Sequence, residues 1–157
     1  MAKHFPEKAL FLNMIMIEDG DQVLVENRRK PDWPGITFPG GHVEPNESFV
    51  ASAVREAREE TGLEIAKLQL VGLCQYLDQS AEGVDFRRVI YFYRTQTFKG
   101  ELKASREGEV YWMPRKKLRE VQLGGGMSDF LTVFETPEIS ELIYLTDQMG
   151  HSTTQFN

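Results

Sequence analysis

The sequence predicts a mixed α/β fold, in which one β-sheet that contains hairpins carries helices on both of its faces. Apolar segments of strand length are interleaved with amphipathic helical segments along the 157 residues. The first two strands, at 10–17 and 22–28, are separated by the turn residues Asp19-Gly20-Asp21, a combination that is typical of a hairpin. Because strands and helices alternate to the end of the chain, we expect helices to cover both faces of the sheet.

The other strands and the later helices are predicted in chain order. A loop at 30–35 leads into the short strand Ile36-Thr37-Phe38, which Pro39-Gly40-Gly41 ends. The main helix comes next. The remaining elements are strands at 68–76, 87–97 and 110–113 and helices at 114–121 and 129–145, the second helix being broken near Pro137.

The main helix has recognisable ends and a predicted buried side. Asn46 or Ser48 can serve as its N-cap, and Gly62 suits the position that follows its last turn. Its apolar residues have the spacing of a stripe that faces the core, namely Val50, Val54, Ala57 and Thr61.

The same helix carries three carboxylates on one side. Glu56, Glu59 and Glu60 have i, i+3, i+4 spacing, at which like charges repel each other, so stability alone would not select them. Stacked carboxylates are useful where a cation lies among them, and Mg²⁺ binds one or two carboxylates together with substrate phosphates. The pattern therefore predicts one half of a site for a metal ion and a phosphate.

The segment from Gly41 to Leu63 reads GHVEPNESFVASAVREAREETGL. Its glycines, its Arg55 and its glutamates stand at the spacing of the Nudix box, so the chain resembles the Nudix hydrolases. One position departs from the common pattern, since Ala57 is smaller than the aliphatic residue that the family often has there. The resemblance implies an α/β/α sandwich with a mixed sheet and a catalytic loop-helix-loop.

The resemblance also implies roles for residues of the box. The carbonyl of Gly41 and the carboxylates of Glu56, Glu59 and Glu60 correspond to metal ligands of the family. Glu47 and Arg55 correspond to a structural ion pair that ties the loop to the helix, and Gly62 ends the motif. The alternative is that the glutamates have no function and form a chance cluster of charges on a solvated acidic helix.

A further carboxylate outside the box is implied before a strand that contains tryptophan. Glu107 lies five residues before Trp112, as in the nucleotide-sanitising members of the family, and Glu109 is the alternative. Both residues can also be loop charges in water.

Three residues are candidates for contact with a nucleotide. Phe38 precedes Pro39-Gly40-Gly41, as in MutT-type enzymes, in which the corresponding aromatic residue lines the nucleoside pocket; core packing is the alternative. Arg28 matches a position that contacts the nucleotide in that subgroup, or is a surface arginine at a strand end. Asp129 can bond a purine edge or can be an N-cap. Trp33 and Trp112 are further aromatic residues expected near the site.

The function implied by the resemblance is Mg²⁺-dependent hydrolysis of a nucleoside diphosphate linked to another group, with Mn²⁺ able to substitute. The subgroup it most resembles is the MutT type, which hydrolyses nucleoside triphosphates such as 8-oxo-dGTP to the monophosphate and pyrophosphate. Another nucleotide conjugate, such as an ADP-sugar or a dinucleoside polyphosphate, is the second enzymatic interpretation. A nucleotide-sensing module without catalysis is the third, and the intact glutamates of the box argue against it.

Composition and charge limit the class of protein and its partners. The 157 residues suit a single domain (1–157), and 41% hydrophobic with 27% charged residues is typical of a globular protein. The net charge of −6 argues against a nucleic-acid polymer as a partner. No apolar run is long enough to span a membrane and no signal peptide is recognisable, so we expect a cytoplasmic protein with a small nucleotide substrate and no membrane partner. The single Cys74 is expected to be a buried small hydrophobe. A homodimer is left open.

Overall fold

The protein consists of one large mixed sheet, a second small sheet and helices on both sides, in a computed structural model that describes residues 4–103 and 105–157. The helices are α1 (Phe49–Thr61) and α2 (Met127–Glu135), with a 3₁₀ helix at Arg115–Glu120. The strands are β1 (Ala9–Asp19), β2 (Gln22–Arg28), β3 (Gly35–Thr37), β4 (Glu64–Ala66), β5 (Gln69–Gln79), β6 (Asp85–Thr95), β7 (Thr97–Lys99), β8 (Gly108–Pro114), β9 (Glu141–Thr146) and β10 (Ser152–Phe156).

The large sheet combines parallel and antiparallel pairs, as the sequence predicts. Its order is β10-β9-β5-β6-β1-β2-β3, and β8 pairs with β2. The parallel pairs are β1 with β6 and β5 with β9, and β4 pairs with β7 in the small sheet. The expected hairpin of β1 and β2 forms, but the two strands pair only at Glu18 and Asp19 before they diverge.

Strand β1 lies between the two halves of the core because its side chains alternate between the faces of the sheet. Ile15 and Ile17 pack in one apolar cluster with Ala53 and Ala57 of α1. Met14 and Met16 belong to the opposite cluster, which contains the buried side chains of α2. The α/β/α layering is therefore confirmed. Cys74 is fully buried as expected, and burial raises the pKa of its thiol to about 12.

The ends of α1 agree with the sequence-based prediction. Ser48 is the N-cap, since its hydroxyl accepts a hydrogen bond from the Ala51 N–H at 3.0 Å. Gly62 has a φ of +78°, in the left-handed region that favours glycine, and its N–H donates to the Arg58 carbonyl at 2.9 Å.

The predicted buried stripe of α1 is partly wrong. Val50 is 48% exposed, whereas Ser52 and Ala53 are buried. The contact of α1 with the sheet is made by its small residues, since Ala53 and Ala57 pack with Ile15 and Ile17.

The C-terminal third differs most from the prediction. The helix expected at 129–145 ends at Glu135, and residues after Pro137 form β9, which pairs with β5. Pro137 cannot continue the helical hydrogen bonds, and the apolar run that follows it completes the sheet beside β5. Strand β10 is exposed throughout and polar except for Phe156, so its sequence carries no apolar periodicity that would predict a strand. The segment expected as a helix at 114–121 is the 3₁₀ helix. Among the described residues, no helix has the length and apolarity needed to cross a membrane.

Candidate active site

A cavity of about 570 Å³ opens beside the glycine segment, and it gathers most of the candidate residues. Its acidic lining residues are Asp32, Glu56, Glu60 and Glu107, and its basic ones are Arg28, Lys30 and Arg88. Its aromatic lining residues are Trp33, Phe38, Tyr76 and Phe130. Carboxylates, cations and aromatic rings thus line one cavity, as recognition of a nucleotide would require.

Backbone hydrogen bonds to β1 hold the glycine segment in place. The Ile15 N–H donates to the Pro39 carbonyl at 2.8 Å, and the Asn13 N–H donates to the Gly41 carbonyl at 2.9 Å. Neither Gly40 nor Gly41 has a positive φ. Both are required by close approach: a Cβ at Gly40 would lie 2.2 Å from the Asn13 oxygen, and one at Gly41 would lie 2.4 Å from the carboxyl carbon of Glu56.

Gly40 is a candidate ligand that sequence reasoning missed. The Gly41 carbonyl already accepts the Asn13 N–H with one of its two lone pairs. Within the described residues the Gly40 carbonyl accepts no backbone hydrogen bond, so it is at least as free to bind a cation.

Glu60 is the most buried carboxylate of the cavity. It is 6% exposed, and its Oε2 accepts a hydrogen bond from the Gly40 N–H at 2.8 Å. Burial, and then the nearby charge of Glu26, raise the pKa of Glu60 to about 9. Burial also raises the pKa of Glu26, whose Oε1 has no hydrogen-bond partner. Two neighbouring buried carboxylates of this kind are stable as anions only beside a cation.

Arg55, in the middle of α1, contacts both the loop before the helix and the glutamates of the helix. It forms the expected bidentate ion pair with Glu47, with Nε to Oε1 at 2.8 Å and Nη2 to Oε2 at 2.9 Å. Its Nη1 also contacts Glu56 Oε1 at 2.7 Å, and its Nη2 donates to the His42 carbonyl at 2.9 Å. The Arg55 guanidinium, helped by the Glu44 N–H, lowers the pKa of Glu47 to about 2. This network ties the loop to the helix.

The three stacked glutamates of α1 do not share one environment. Glu56 and Glu60 line the cavity, whereas the Glu59 side chain is 60% exposed, lies 3.4 Å from Arg55 and does not line it. Residues 59 and 60 are consecutive, so they project about 100° apart around the helix. The structure therefore brings Glu56 and Glu60 together in the cavity and leaves the Glu59 side chain outside it.

The two outer carboxylates are also separated. Glu107 precedes β8 and lines the cavity, where Arg28 Nη1 contacts its Oε2 at 3.1 Å and Lys30 Nζ contacts its Oε1. Register places it there, because Gly108 lies opposite Arg28 in the pairing of β2 with β8. Glu109 lies within β8, is 61% exposed and pairs with Arg29 outside the cavity.

The aromatic candidates have different positions. Phe38 is 2% exposed and packs edge-on against Phe134 at 5.3 Å, so it forms the buried floor of the cavity. The Trp33 indole N–H donates to the Gly125 carbonyl at 2.8 Å, and the Arg28 guanidinium lies 5.3 Å from the Trp33 ring centre. Trp112 does not line the cavity, since it packs against Phe98 on the α1 side of the sheet.

The N-cap interpretation of Asp129 is wrong, whereas its contact with a purine edge stays a prediction. Asp129 is the third residue of α2, whose N-cap is Gly126, and it does not line the cavity. Its Oδ2 accepts a hydrogen bond from the Tyr144 hydroxyl at 2.8 Å. Burial, and then this bond, raise the pKa of Tyr144. The partner Tyr144 lies on β9, the strand that sequence reasoning took for helix, so the contact could not be foreseen.

Lys30, Tyr76, Arg88 and Glu26 were not singled out from the sequence. The sequence does contain a signal for Glu26, because a charged residue follows the apolar run Val23-Leu24-Val25. Glu26 also lies two residues before Arg28, and therefore on the same side of β2. The other three are joined to the site only by long-range contacts.

The donor atoms suit a hard divalent cation by their chemistry, although the carboxylates of the described residues do not converge on a single position. They are oxygens, and Glu26 contributes one with no partner. In the described part of the chain, no three His, Cys, Asp or Glu side chains lie close enough to hold a metal ion. The reason is visible in the ion pairs, because Arg55 draws Glu56 and Glu59, and Arg28 and Lys30 draw Glu107. The residues fit such an ion by type and burial.

The sequence profile of the NUDIX domain matches residues 12–134. This stretch is most of the chain and contains the cavity's glutamates and glycines, so the protein belongs to the Nudix family and is a Nudix hydrolase of phosphoanhydride bonds linked to nucleotides. Members of this family generally use divalent metal cations.

Relatives and solved structures agree with this assignment. The chain is 26% identical over 148 residues to the uncharacterized Nudix hydrolase YvcI of Bacillus subtilis, covering 86% of this chain and 92% of that protein. It is 39% identical over 62 residues to a Bacillus subtilis protein named "Putative 8-oxo-dGTP diphosphatase", which covers 40% of each chain. The crystal structure of a MutT protein from Bacillus halodurans has the same fold, with a TM-score of 0.74 at 19% identity, covering 94% of this chain and 97% of that one.

Proposed function

We propose that this protein is a Mg²⁺-dependent pyrophosphohydrolase that cleaves a nucleoside triphosphate, such as 8-oxo-dGTP, into the monophosphate and pyrophosphate. The observation that carries the proposal is the pair of Glu56 and Glu60 in the cavity, one against Gly41 and the other bonded to Gly40. Buried carboxylates beside an arginine and a lysine are suited to a cation and a polyphosphate together.

The metal would be held by Glu56, Glu60 and Glu107 with a carbonyl of the glycine segment, Gly41 or Gly40. When bound, Mg²⁺ lowers the pKa of water and neutralises phosphate oxygens. Glu59 enters the proposal from the Nudix box alone, since its side chain does not line the cavity. Mn²⁺ offers the same coordination and is expected to substitute.

The chain's own residues have distinct tasks in the reaction. Arg55 orients Glu56 through the contact at 2.7 Å. The Gly40 N–H orients Glu60. Arg28 stabilises negative charge that develops on the phosphates, as fixed cations do in phosphoryl transfer.

A nucleoside fits the aromatic end of the same cavity. Trp33 and Tyr76 offer rings for a base, Phe38 forms the floor, and stacking of a base on such rings contributes about 1–3 kcal/mol. The MutT-type substrate is supported by the relative named for 8-oxo-dGTP. Asp129 does not itself line the cavity, so its contact with a purine edge rests on the resemblance alone; its Oδ2 accepts from Tyr144, whose ring packs against the cavity residue Tyr76 at 5.8 Å.

A dinucleoside polyphosphate is the second candidate. A protein of Mus musculus named bis(5'-nucleosyl)-tetraphosphatase [asymmetrical] is 32% identical over 79 residues, which cover 49% of this chain and 54% of that protein. Arg88, which lines the cavity beside the Tyr76 ring, would contact the second nucleotide.

A substrate panel tests the proposal. Nucleoside triphosphates, 8-oxo-dGTP, ADP-sugars and dinucleoside tetraphosphates are incubated with Mg²⁺ or Mn²⁺, and products are resolved by chromatography and ³¹P NMR. The expected result is monophosphate and pyrophosphate from a triphosphate, with Glu56→Gln as the inactive control. Turnover of no nucleotide with either ion would contradict the proposal, and release of a nucleoside triphosphate from a dinucleoside polyphosphate would favour the second candidate.

A further inference from the structure

Glu107 is held by two cations that have no other acidic partner within the described residues. Lys30 Nζ and Arg28 Nη1 contact its two different oxygens. The remaining arginine of the cavity, Arg88, is already committed to Asp78, at 2.7 Å. Lys30 and Arg28 are therefore the cavity cations whose pairing depends on Glu107.

We propose that Lys30, with Arg28, is a phosphate-binding residue that is released for this task when a metal ion takes Glu107. This inference rests on the proposed function, and it assigns the residue that binds the polyphosphate and the order in which the site assembles.

A metal ion and the two cations compete for the same oxygens of Glu107. Both oxygens of Glu107 are paired with side-chain cations, and a carboxylate that binds a divalent ion offers those oxygens to the metal. A metal ion can use Glu107 fully only if at least one of the two cations leaves it. Lys30 is the one that can move, because it is 44% exposed on a flexible stem, whereas Arg28 is 14% exposed.

A metal ion on Glu107 leaves the positive charges of Arg28 and Lys30 without their carboxylate. Arg28 is largely buried, and its Nε is already without a hydrogen-bond partner. A buried cation that loses its carboxylate is destabilising unless another anion replaces it. Phosphate oxygens carry the right charge and match the donors of arginine and lysine. Metal and phosphate should therefore favour each other's binding, and the coupling is reciprocal.

The loop after β2 separates the side chain of Arg29 from those of Arg28 and Lys30. Arg29 lies between Arg28 and Lys30 but points out of the cavity, where it pairs with Glu109 at 3.4 Å. The backbone here is fastened independently of these side chains, since the Arg29 N–H donates to the Glu107 carbonyl and the Trp33 N–H to the Lys30 carbonyl. A change at Lys30 should consequently alter charge in the cavity and leave the loop in place.

The test measures two binding equilibria of Lys30→Gln, with Arg29→Gln as the matched control. The first is Mn²⁺ binding without nucleotide, from the EPR signal of the free ion. The second is binding of methylenediphosphonate at saturating Mg²⁺, by calorimetry; this probe keeps the charges of a diphosphate and has no anhydride to cleave. Unfolding midpoints are recorded for all three proteins.

The inference expects changes of opposite sign in Lys30→Gln. Mn²⁺ should bind about threefold more tightly, because a partly exposed ion pair no longer competes. Methylenediphosphonate should bind about tenfold more weakly, because a charge-assisted hydrogen bond is lost. Arg29→Gln should leave both affinities unchanged.

Other outcomes overturn the inference. If both affinities fall in Lys30→Gln, the residue is structural; if the diphosphonate affinity is unchanged, Lys30 does not bind phosphate. If the metal affinity is unchanged, Lys30 does not compete for Glu107. A wild-type protein that binds neither Mn²⁺ nor Mg²⁺ would contradict the proposed function as well, which distinguishes the two failures.

Discussion

Replacing Arg55 with alanine removes the cation that holds the catalytic loop on α1. The guanidinium pairs with both oxygens of Glu47, contacts Glu56 and Glu59, and donates to the His42 carbonyl. Arg55→Ala therefore leaves three carboxylates without their shared partner, and the His42 carbonyl keeps only its hydrogen bond from the Ser52 hydroxyl at 3.2 Å. We expect loss of both stability and activity.

The size of the effect follows from burial. Breaking a buried ion pair by removing one partner is destabilising by about 3–5 kcal/mol. Arg55 is 24% exposed and Glu47 16%, so solvent screens part of this energy, and we expect about 2 kcal/mol. For a domain of this size that loss lowers the melting temperature by about 6 °C. The rate should fall as well, because Glu56 is no longer oriented.

The pH dependence of the effect has a defined sign. Arg55 holds the pKa of Glu47 at about 2, below its ordinary value of 4.5. Stability from this pair is therefore present above pH 4.5 and is lost as the pH falls towards 2. The difference between wild type and Arg55→Ala should be full at neutral pH and should shrink in acid.

The assay is urea denaturation with circular dichroism at neutral and acidic pH, with EDTA present. Arg58→Ala is the control, since Arg58 is an exposed arginine on the next turn of the same helix. A free energy of unfolding of Arg55→Ala equal to that of Arg58→Ala would refute the structural role. A penalty that grows in acid would refute the assignment to the pair with Glu47.

Three further predictions concern the acidic residues. Glu60→Gln and Glu59→Gln are each expected to lower kcat by at least about 100-fold if they bind the metal; near-normal turnover of Glu59→Gln would remove this exposed residue from the mechanism. Glu107→Gln should reduce kcat strongly and shift the Mg²⁺ dependence, while Glu109→Gln, outside the cavity, should do much less; the reverse ranking would contradict the geometry. The pKa of Glu60 is raised to about 9, so the stability of the metal-free protein should fall as the pH rises from about 4.5 to about 9. Mg²⁺ should therefore stabilise the protein more near pH 8 than near pH 6. If urea titrations show the same stabilisation by Mg²⁺ at both pH values, the pKa of Glu60 is not raised.

Local signals account for what the sequence predicts well. The capping of α1 by Ser48 and its termination at Gly62 depend on neighbouring residues, so they can be inferred without tertiary structure. The bounds of β2, Gln22–Arg28, were predicted as observed, because an apolar run between turn residues defines them. The Nudix box is likewise a local pattern.

Long-range contacts account for what it predicts poorly. The apolar run from 142 to 145 suits a helix or a strand, and only the open side of β5 makes it β9. The spacing of three glutamates indicates a shared helical side, but the cavity selects Glu56 and Glu60, because its wall lies against Gly40 and Gly41. The pairing of Lys30 with Glu107 joins residues 77 positions apart, and no local pattern reports it.

An acidic protein repels a substrate with several negative charges, and the cations of the cavity must overcome this repulsion. A net charge of −6 and the carboxylates of Glu56 and Glu107 in the cavity would repel a triphosphate. Of the cavity's cations, Arg88 is paired with Asp78, and Arg28 and Lys30 are paired with Glu107. A phosphate chain therefore meets no uncommitted positive charge among the described lining residues until a divalent ion binds, inverts the local field and frees Lys30. The substrate should consequently enter after the metal or together with it, and nucleotide affinity should depend steeply on the concentration of the divalent ion.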